Sequence, residues 1–173
     1  MTRQHSKMVG LLVVSLVLGA CGGANKSLRC RSPRALKYVV SASDRVNLDD
    51  EGRALATVVR IYQLKSLSRL ENAEFEEIWL HADETLAEDL VKVEELTLFP
   101  KDESPHTVDV GEGVNYLVAV ALFRKPAGVS WRAIYELPLA PCGSGKAESK
   151  TVAHFLIEDY RIEALQDAPG SAP

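Results

Sequence analysis

Tyr116-Leu117-Val118-Ala119-Val120-Ala121-Leu122-Phe123 is a run of eight apolar residues without a break. A strand with one wet face alternates apolar and polar residues, so an unbroken run marks a strand buried on both faces. Gly111-Glu112-Gly113 sets a turn upstream, and Lys125 to Ser130, with Pro126 and Gly128, forms the loop that follows. Beyond it Trp131, Ala133, Tyr135 and Leu137 alternate with Arg132 and Glu136, the pattern of a neighbouring strand.

The same period of two recurs elsewhere. Leu36, Tyr38, Val40 and Ala42 alternate with Lys37 and Ser41, and the β-branched and aromatic side chains of 57–64 (Val58, Val59, Ile61, Tyr62) mark a second strand. Leu96 and Leu98 alternate before Pro100, Lys101 to Pro105 reads as a turn, Val108 and Val110 mark a short strand, and Val152 to Ile157 is the last. Between the second strand and Leu96 the period changes. Leu67, Leu70, Phe75, Ile78, Trp79, Leu80, Leu86 and Leu90 recur at steps of three and four among acidic residues, predicting two short amphipathic helices broken near His81 to Asp83. Strands of this spacing with one helical insertion, at about 66–90, predict an all-β, two-sheet antiparallel β-sandwich of seven or eight strands over residues 35–163. An Ala/Pro/Gly/Ser-rich tail, 164–173, follows.

The N-terminus has a different logic. Arg3, His5 and Lys7 precede the apolar stretch Met8 to Leu18, and Leu18-Gly19-Ala20-Cys21 ends it with an aliphatic residue, two small residues and a thiol. That is a signal peptide, 1–20, with a lipobox that directs cleavage before Cys21 and a diacylglycerol and N-acyl lipid onto it. Residues 21–34 then form a lipidated N-terminus and linker, and Gly22 in place of Asp suggests delivery to the outer membrane. Losing Arg3 and Lys7 leaves 18 basic against 24 acidic residues, so the chain has no polybasic footprint for nucleic acid. Cys30 and Cys142 remain, facing an oxidising compartment, and are the candidates for one disulfide, with two free thiols as the alternative.

The run Val58-Val59-Arg60-Ile61-Tyr62-Gln63-Leu64-Lys65, then Phe75, Trp79, the Leu86 to Leu90 segment, Pro100, Val118 to Arg124 and Trp131-Arg132, resembles in its order the TssJ family, the outer-membrane lipoprotein of bacterial type VI secretion. The resemblance covers roughly 38–137. It departs at Lys101, where glycine is usual, and at Leu70, where an aromatic residue is usual. It implies a transthyretin-like sandwich and a non-catalytic role: anchoring the TssJ-TssL-TssM membrane complex at the outer membrane by docking the periplasmic domain of TssM. It also points to the loop after the first strand as the contact.

That loop, 43–56, is longer than a hairpin needs. Asp44, Arg45, Val46, Asn47, Leu48, Asp49, Asp50 and Glu51 are its candidate docking residues. Val46 and Leu48 are expected to be exposed and ringed by charges, with the acidic side chains steering a basic surface, so that shortening 45–51 should leave folding intact. The helical insertion is the second candidate.

Other readings have less to stand on. His81, His106 and His154 occupy separate contexts and no G-x-S-x-G elbow is present, so no catalytic residues are assigned; His106, His154 and Arg124 are the material for a transthyretin-like hydrolase. Asn47, Asp49, Glu51 and Gly52 imitate an EF-hand start, but its twelfth position is Val58, so no metal or other cofactor is expected. A carbohydrate- or peptidoglycan-binding sandwich would need Trp79 and Trp131 on its surface, whereas their spacing marks them as packing residues and no small-molecule substrate is expected.

Overall fold

The structure, a computed structural model, describes residues 29–30, 35–138, 140–141 and 152–165. Its strands are β1 (Arg29–Cys30), β2 (Ala35–Ala42), β3 (Thr57–Leu64), β4 (Leu90–Leu98), β5 (Glu103–Asp109), β6 (Tyr116–Ala121), β7 (Arg132–Glu136), β8 (Ala140–Pro141), β9 (Val152–Glu158) and β10 (Arg161–Leu165). Two four-stranded sheets form, β10-β9-β2-β5 and β4-β3-β6-β7, with β1 and β8 paired as a separate ribbon. They make the two-sheet sandwich that the alternation predicted. Leu36, Tyr38 and Val40 from one sheet and Val59, Ile61, Leu117 and Ala119 from the other are among its buried side chains.

Pairing adds what periodicity could not. β2 and β9 run parallel while every other paired strand is antiparallel, because the two lie far apart in sequence and are joined by a long crossover, not a hairpin. Ala164 and Leu165, read with the tail, belong to β10 and pair with Phe155 and His154. Pro105, read as part of a turn, sits inside β5, where an edge strand tolerates a missing N–H. β4 starts at Leu90, so Leu90, read with the helical spacing, and Val91 to Val93, assigned to no element, are strand.

Three short helices, α1 (Ser68–Glu71), α2 (Phe75–Leu80) and α3 (Ala82–Leu86), and a 3₁₀ turn at Ala87–Asp89 make the insertion. None is long enough to be stable alone. They persist because Leu70, Ile78 and Leu86 are buried, each contributing roughly 1.5–3 kcal/mol, and because Glu74 and Glu77 form a capping box at the start of α2. Hydrogen bonds lock them to the outer face of the second sheet: Tyr62 Oη donates to the Ile78 carbonyl (3.1 Å), Arg60 to that of Trp79 (2.5 Å), and Arg132 to that of Leu70. The insertion therefore covers the outer face of this sheet. This cover is why β6, sandwiched between sheet and helices, can be apolar throughout.

The β4–β5 turn explains the departure at Lys101. With Pro100 at its second position, a φ of +71° at Lys101 and the Asp102 N–H donating to the Phe99 carbonyl (3.0 Å), Phe99 to Asp102 is a type II turn. The third position of such a turn favours glycine. Lys101→Gly is expected to raise unfolding stability by about 0.5–1 kcal/mol, the relief of positive φ outweighing the entropy of glycine in the unfolded chain, as read from urea unfolding midpoints. An unchanged or lower midpoint would show that lysine is unstrained there.

Candidate docking surface

The 43–56 loop is a framed knob and not a floppy excursion. Val46 is fully buried and Asn47 is 5% exposed, which overturns the expectation of an exposed Val46; Leu48 and Asp49 are half-buried, while Asp44, Arg45, Asp50 and Glu51 are exposed. The physical reason is that the loop folds back over the end of the sandwich, where its one fully apolar β-branched residue finds the core. Asn47 adopts φ +50°, a conformation that asparagine tolerates, and its side-chain oxygen accepts the Arg124 N–H (2.9 Å) while its own N–H donates to the Asp159 carbonyl (2.6 Å). Tyr160 Oη donates to the Leu48 carbonyl (2.8 Å). These three hydrogen bonds tie the knob to residues 77 and more positions further along the chain.

Its charges are largely neutralised from within. Asp49 accepts the N–H groups of Glu51 (3.0 Å) and Arg53 (2.8 Å) and the Arg53 guanidinium (2.7 Å), and the Arg53 backbone bond is the main reason its carboxyl is held below the usual range. Asp50 lies between Lys125 Nζ (2.6 Å) and Arg124 (3.3 Å), and the Lys125 hydrogen bond holds its carboxyl low as well. Arg45 pairs with Asp159 (3.0 Å), and Glu51 with Arg53 (3.3 Å). Long-range steering by Asp49 and Asp50 is accordingly weak, because partners 70 or more residues away or within the loop screen them.

The exposed apolar side chains at this end come from elsewhere. Phe99 is 59% exposed in the turn after β4, and Leu122 is 37% exposed just after β6. The Leu122 N–H donates to the Val58 carbonyl (2.9 Å), and Thr57 pairs with Leu98, so both residues flank the start of β3, directly after the knob. Sequence reading missed them because Leu122 sat inside an unbroken apolar run and Phe99 beside a strand end. An aromatic residue immediately before a Pro turn was the only available signal.

The rival sites do not assemble. His106 pairs with Tyr38 in register, stacking on it at 5.0 Å, and His154 pairs with Val39, so the two histidines lie on opposite faces of one sheet. Arg124 is at the knob. Trp131 is buried, and Trp79 is half-buried, stacked on Phe75 (5.6 Å) with Arg60 over its ring (4.1 Å), so neither is a sugar platform. Among the described residues no group of three or more His, Cys, Asp or Glu is placed to hold a metal. Cys21 and Cys142 lie outside the described residues; Cys30 is in β1, opposite Ala140 of β8.

Comparison with known proteins agrees with this fold. The chain has a TM-score of 0.69 to the crystal structure of the type VI secretion lipoprotein TssJ1 from Pseudomonas aeruginosa, at 22% identity, covering 82% of this chain and 100% of that one. A chain of a type VI membrane complex gives 0.65 at 20% identity, over 78% and 99%. A chain of the structure named for the TssM C-terminal domain from EAEC gives 0.63 at 18%, over 78% and 99%. No curated protein sequence matches. The family model of the type VI secretion lipoproteins VasD, EvfM and TssJ matches residues 34–159, the span of both sheets up to the last hairpin. The chain therefore belongs to the TssJ family of type VI secretion lipoproteins, a structural and not an enzymatic family.

Proposed function

We propose that this protein is the outer-membrane anchor of a type VI secretion membrane complex, held by diacylglycerol and N-acyl chains on Cys21 and facing the periplasm. There it docks the periplasmic domain of TssM, within the TssJ-TssL-TssM assembly, through the 43–56 knob and the adjoining Phe99 and Leu122. The family match over residues 34–159 carries the reading. The chain direction supports the choice of surface. Ala35, where the first sheet begins after the segment that follows Cys21, and the knob lie at opposite ends of β2, about 26 Å apart. A rigid knob also suits a docking role, because little conformational freedom is lost when it binds.

Exposed apolar side chains beside a framed loop supply the kind of contact that dominates interface energies. Phe99→Asp and Leu122→Asp in the purified domain are each expected to weaken binding of the TssM periplasmic domain about tenfold or more by titration calorimetry, without lowering the unfolding midpoint by much. If the folded double variant bound as tightly as the parent, the contact would lie elsewhere, with the helical insertion next in line.

A further inference from the structure

The two sheets differ in what lies on their outer faces. The insertion covers that of the second sheet, whereas the outer side chains of the first sheet, β10-β9-β2-β5, are half-buried or exposed. Register sets Leu165, His154, Val39 and Pro105 side by side across this face, one from each strand, and Val39 points outward because its neighbours Tyr38 and Val40 are buried. Val152 and Leu156 flank His154 along β9, so the middle of the face is apolar around one imidazole. A hollow of about 290 Å³ lies among Lys37, Val39, Pro105 and Val152.

Charge on this face is ordered. Along the β5 side it runs Lys101, Glu103, the uncharged row of Val39 and Pro105, then Lys37 beside Thr107, then Asp109: positive, negative, neutral, positive, negative. Lys101 belongs to the series because its N–H donates to the Ser43 carbonyl (3.3 Å), continuing the pairing of β5 with β2. Turning the face end for end about the neutral row exchanges each of these signs, so the face is complementary to a reversed copy of itself. Arg161 on β10 lies between Glu158 (3.0 Å) and Glu163 (3.5 Å) and is paired within the chain. The face measures about 19 by 26 Å, so two of them meeting bury on the order of 1,000 Å², the low end for a specific contact.

We infer that this face packs on the same face of a second copy of the chain, with the strands of the two copies running in opposite directions. A two-fold axis along the row of Leu165, His154, Val39 and Pro105 sets each of these residues against its own counterpart. Leu156 of one copy then meets Val152 and the hollow of the other, Glu103 meets Thr107 and the neighbouring Lys37, and Lys101 meets Asp109. The order of signs decides both occupant and direction. Strands running the same way would set Glu103 against Glu163 and Lys101 against Arg161, and a uniformly charged protein or an anionic lipid surface would match only one of the two signs. The face is separate from the knob and does not depend on what the knob binds.

The test uses the full-length chain in cells, with a photo-crosslinking amino acid replacing Val39 and, in a second strain, Thr107. Position 39 is expected to give an adduct of twice the chain's mass, and position 107 a dimer whose contact peptide, by mass spectrometry, is the one carrying Glu103. Glu103→Lys and Lys37→Glu, both at exposed positions, should each lower the dimer yield from position 39 about tenfold, and the two together should restore it, because exchanging both signs keeps the match. No self-adduct at position 39, an adduct only with another protein, lipid or glycan, or a double variant as weak as the single ones overturns the inference. A contact peptide from the C-terminal end of β10 at position 107 would overturn the opposed strand direction.

Discussion

Cys21→Ser is expected to remove the protein from the membrane fraction and abolish secretion. Serine has no thiol to take the diacylglycerol, so maturation stops or yields an unlipidated chain. A single acyl chain gives only marginal, reversible membrane attachment, with a binding constant of about 10⁴ M⁻¹, so the loss of the diacylglycerol is the loss of the anchor. The variant should be found uncleaved or in the soluble periplasm, with a folded sandwich, since both four-stranded sheets are built from residues 35 to 165. Recovery of fully mature Cys21→Ser protein in the outer-membrane fraction would end the lipoprotein assignment. The same preparation of parent protein, alkylated without reduction and weighed, reads whether Cys30 and Cys142 are bridged; two alkylated thiols would refute the bridge.

The second large effect is on folding. Val46→Asp places a carboxylate where the side chain has no exposure, and it is expected to cost about 4 kcal/mol or more, enough to unfold a domain of ordinary stability. Removing 45–51 should do the same, contrary to what loop length alone suggests, because Val46 leaves the core and the Arg124 and Asp159 backbone groups lose Asn47. Asn47→Ala is expected to cost about 1–3 kcal/mol, and Glu51→Ala, on the exposed tip, no more than about 0.5 kcal/mol. Urea unfolding followed by circular dichroism measures all four; a Val46→Asp midpoint equal to that of the parent would mean that the knob is not part of the fold. Acid should loosen the knob first. Asp49 and Asp50 are held below their unfolded range, so their contribution is present above that range and is lost as the pH falls through their lowered values.

These experiments also separate two kinds of information. Alternation in 36–42, 57–64 and 131–137 was legible because the side-chain period of a strand is a local property, and an unbroken 116–123 announced cover on two faces. The lipobox reading needs no fold for a similar reason, since it rests on four consecutive residues, Leu18 to Cys21. The resemblance in motif order likewise needed only the linear chain.

Exposure and pairing in the docking region were decided by the tertiary structure. Whether Val46 is outside or inside depends on the loop folding back toward Arg124 and Asp159, 77 and more residues further on. Asp50 reads as a free acidic residue until Lys125 is brought to 2.6 Å from it. Leu122 and Phe99, apolar beside strands, look like core; only the ends of the sheets, where cover by helices and by the facing sheet stops, leave them in water. Pairing followed the same rule, because periodicity specifies which face of a strand is buried and says nothing of which strand lies beside it. Local chemistry thus determined the elements and their inward faces, while contacts between residues distant in the chain decided which apolar and charged groups remain available to a partner.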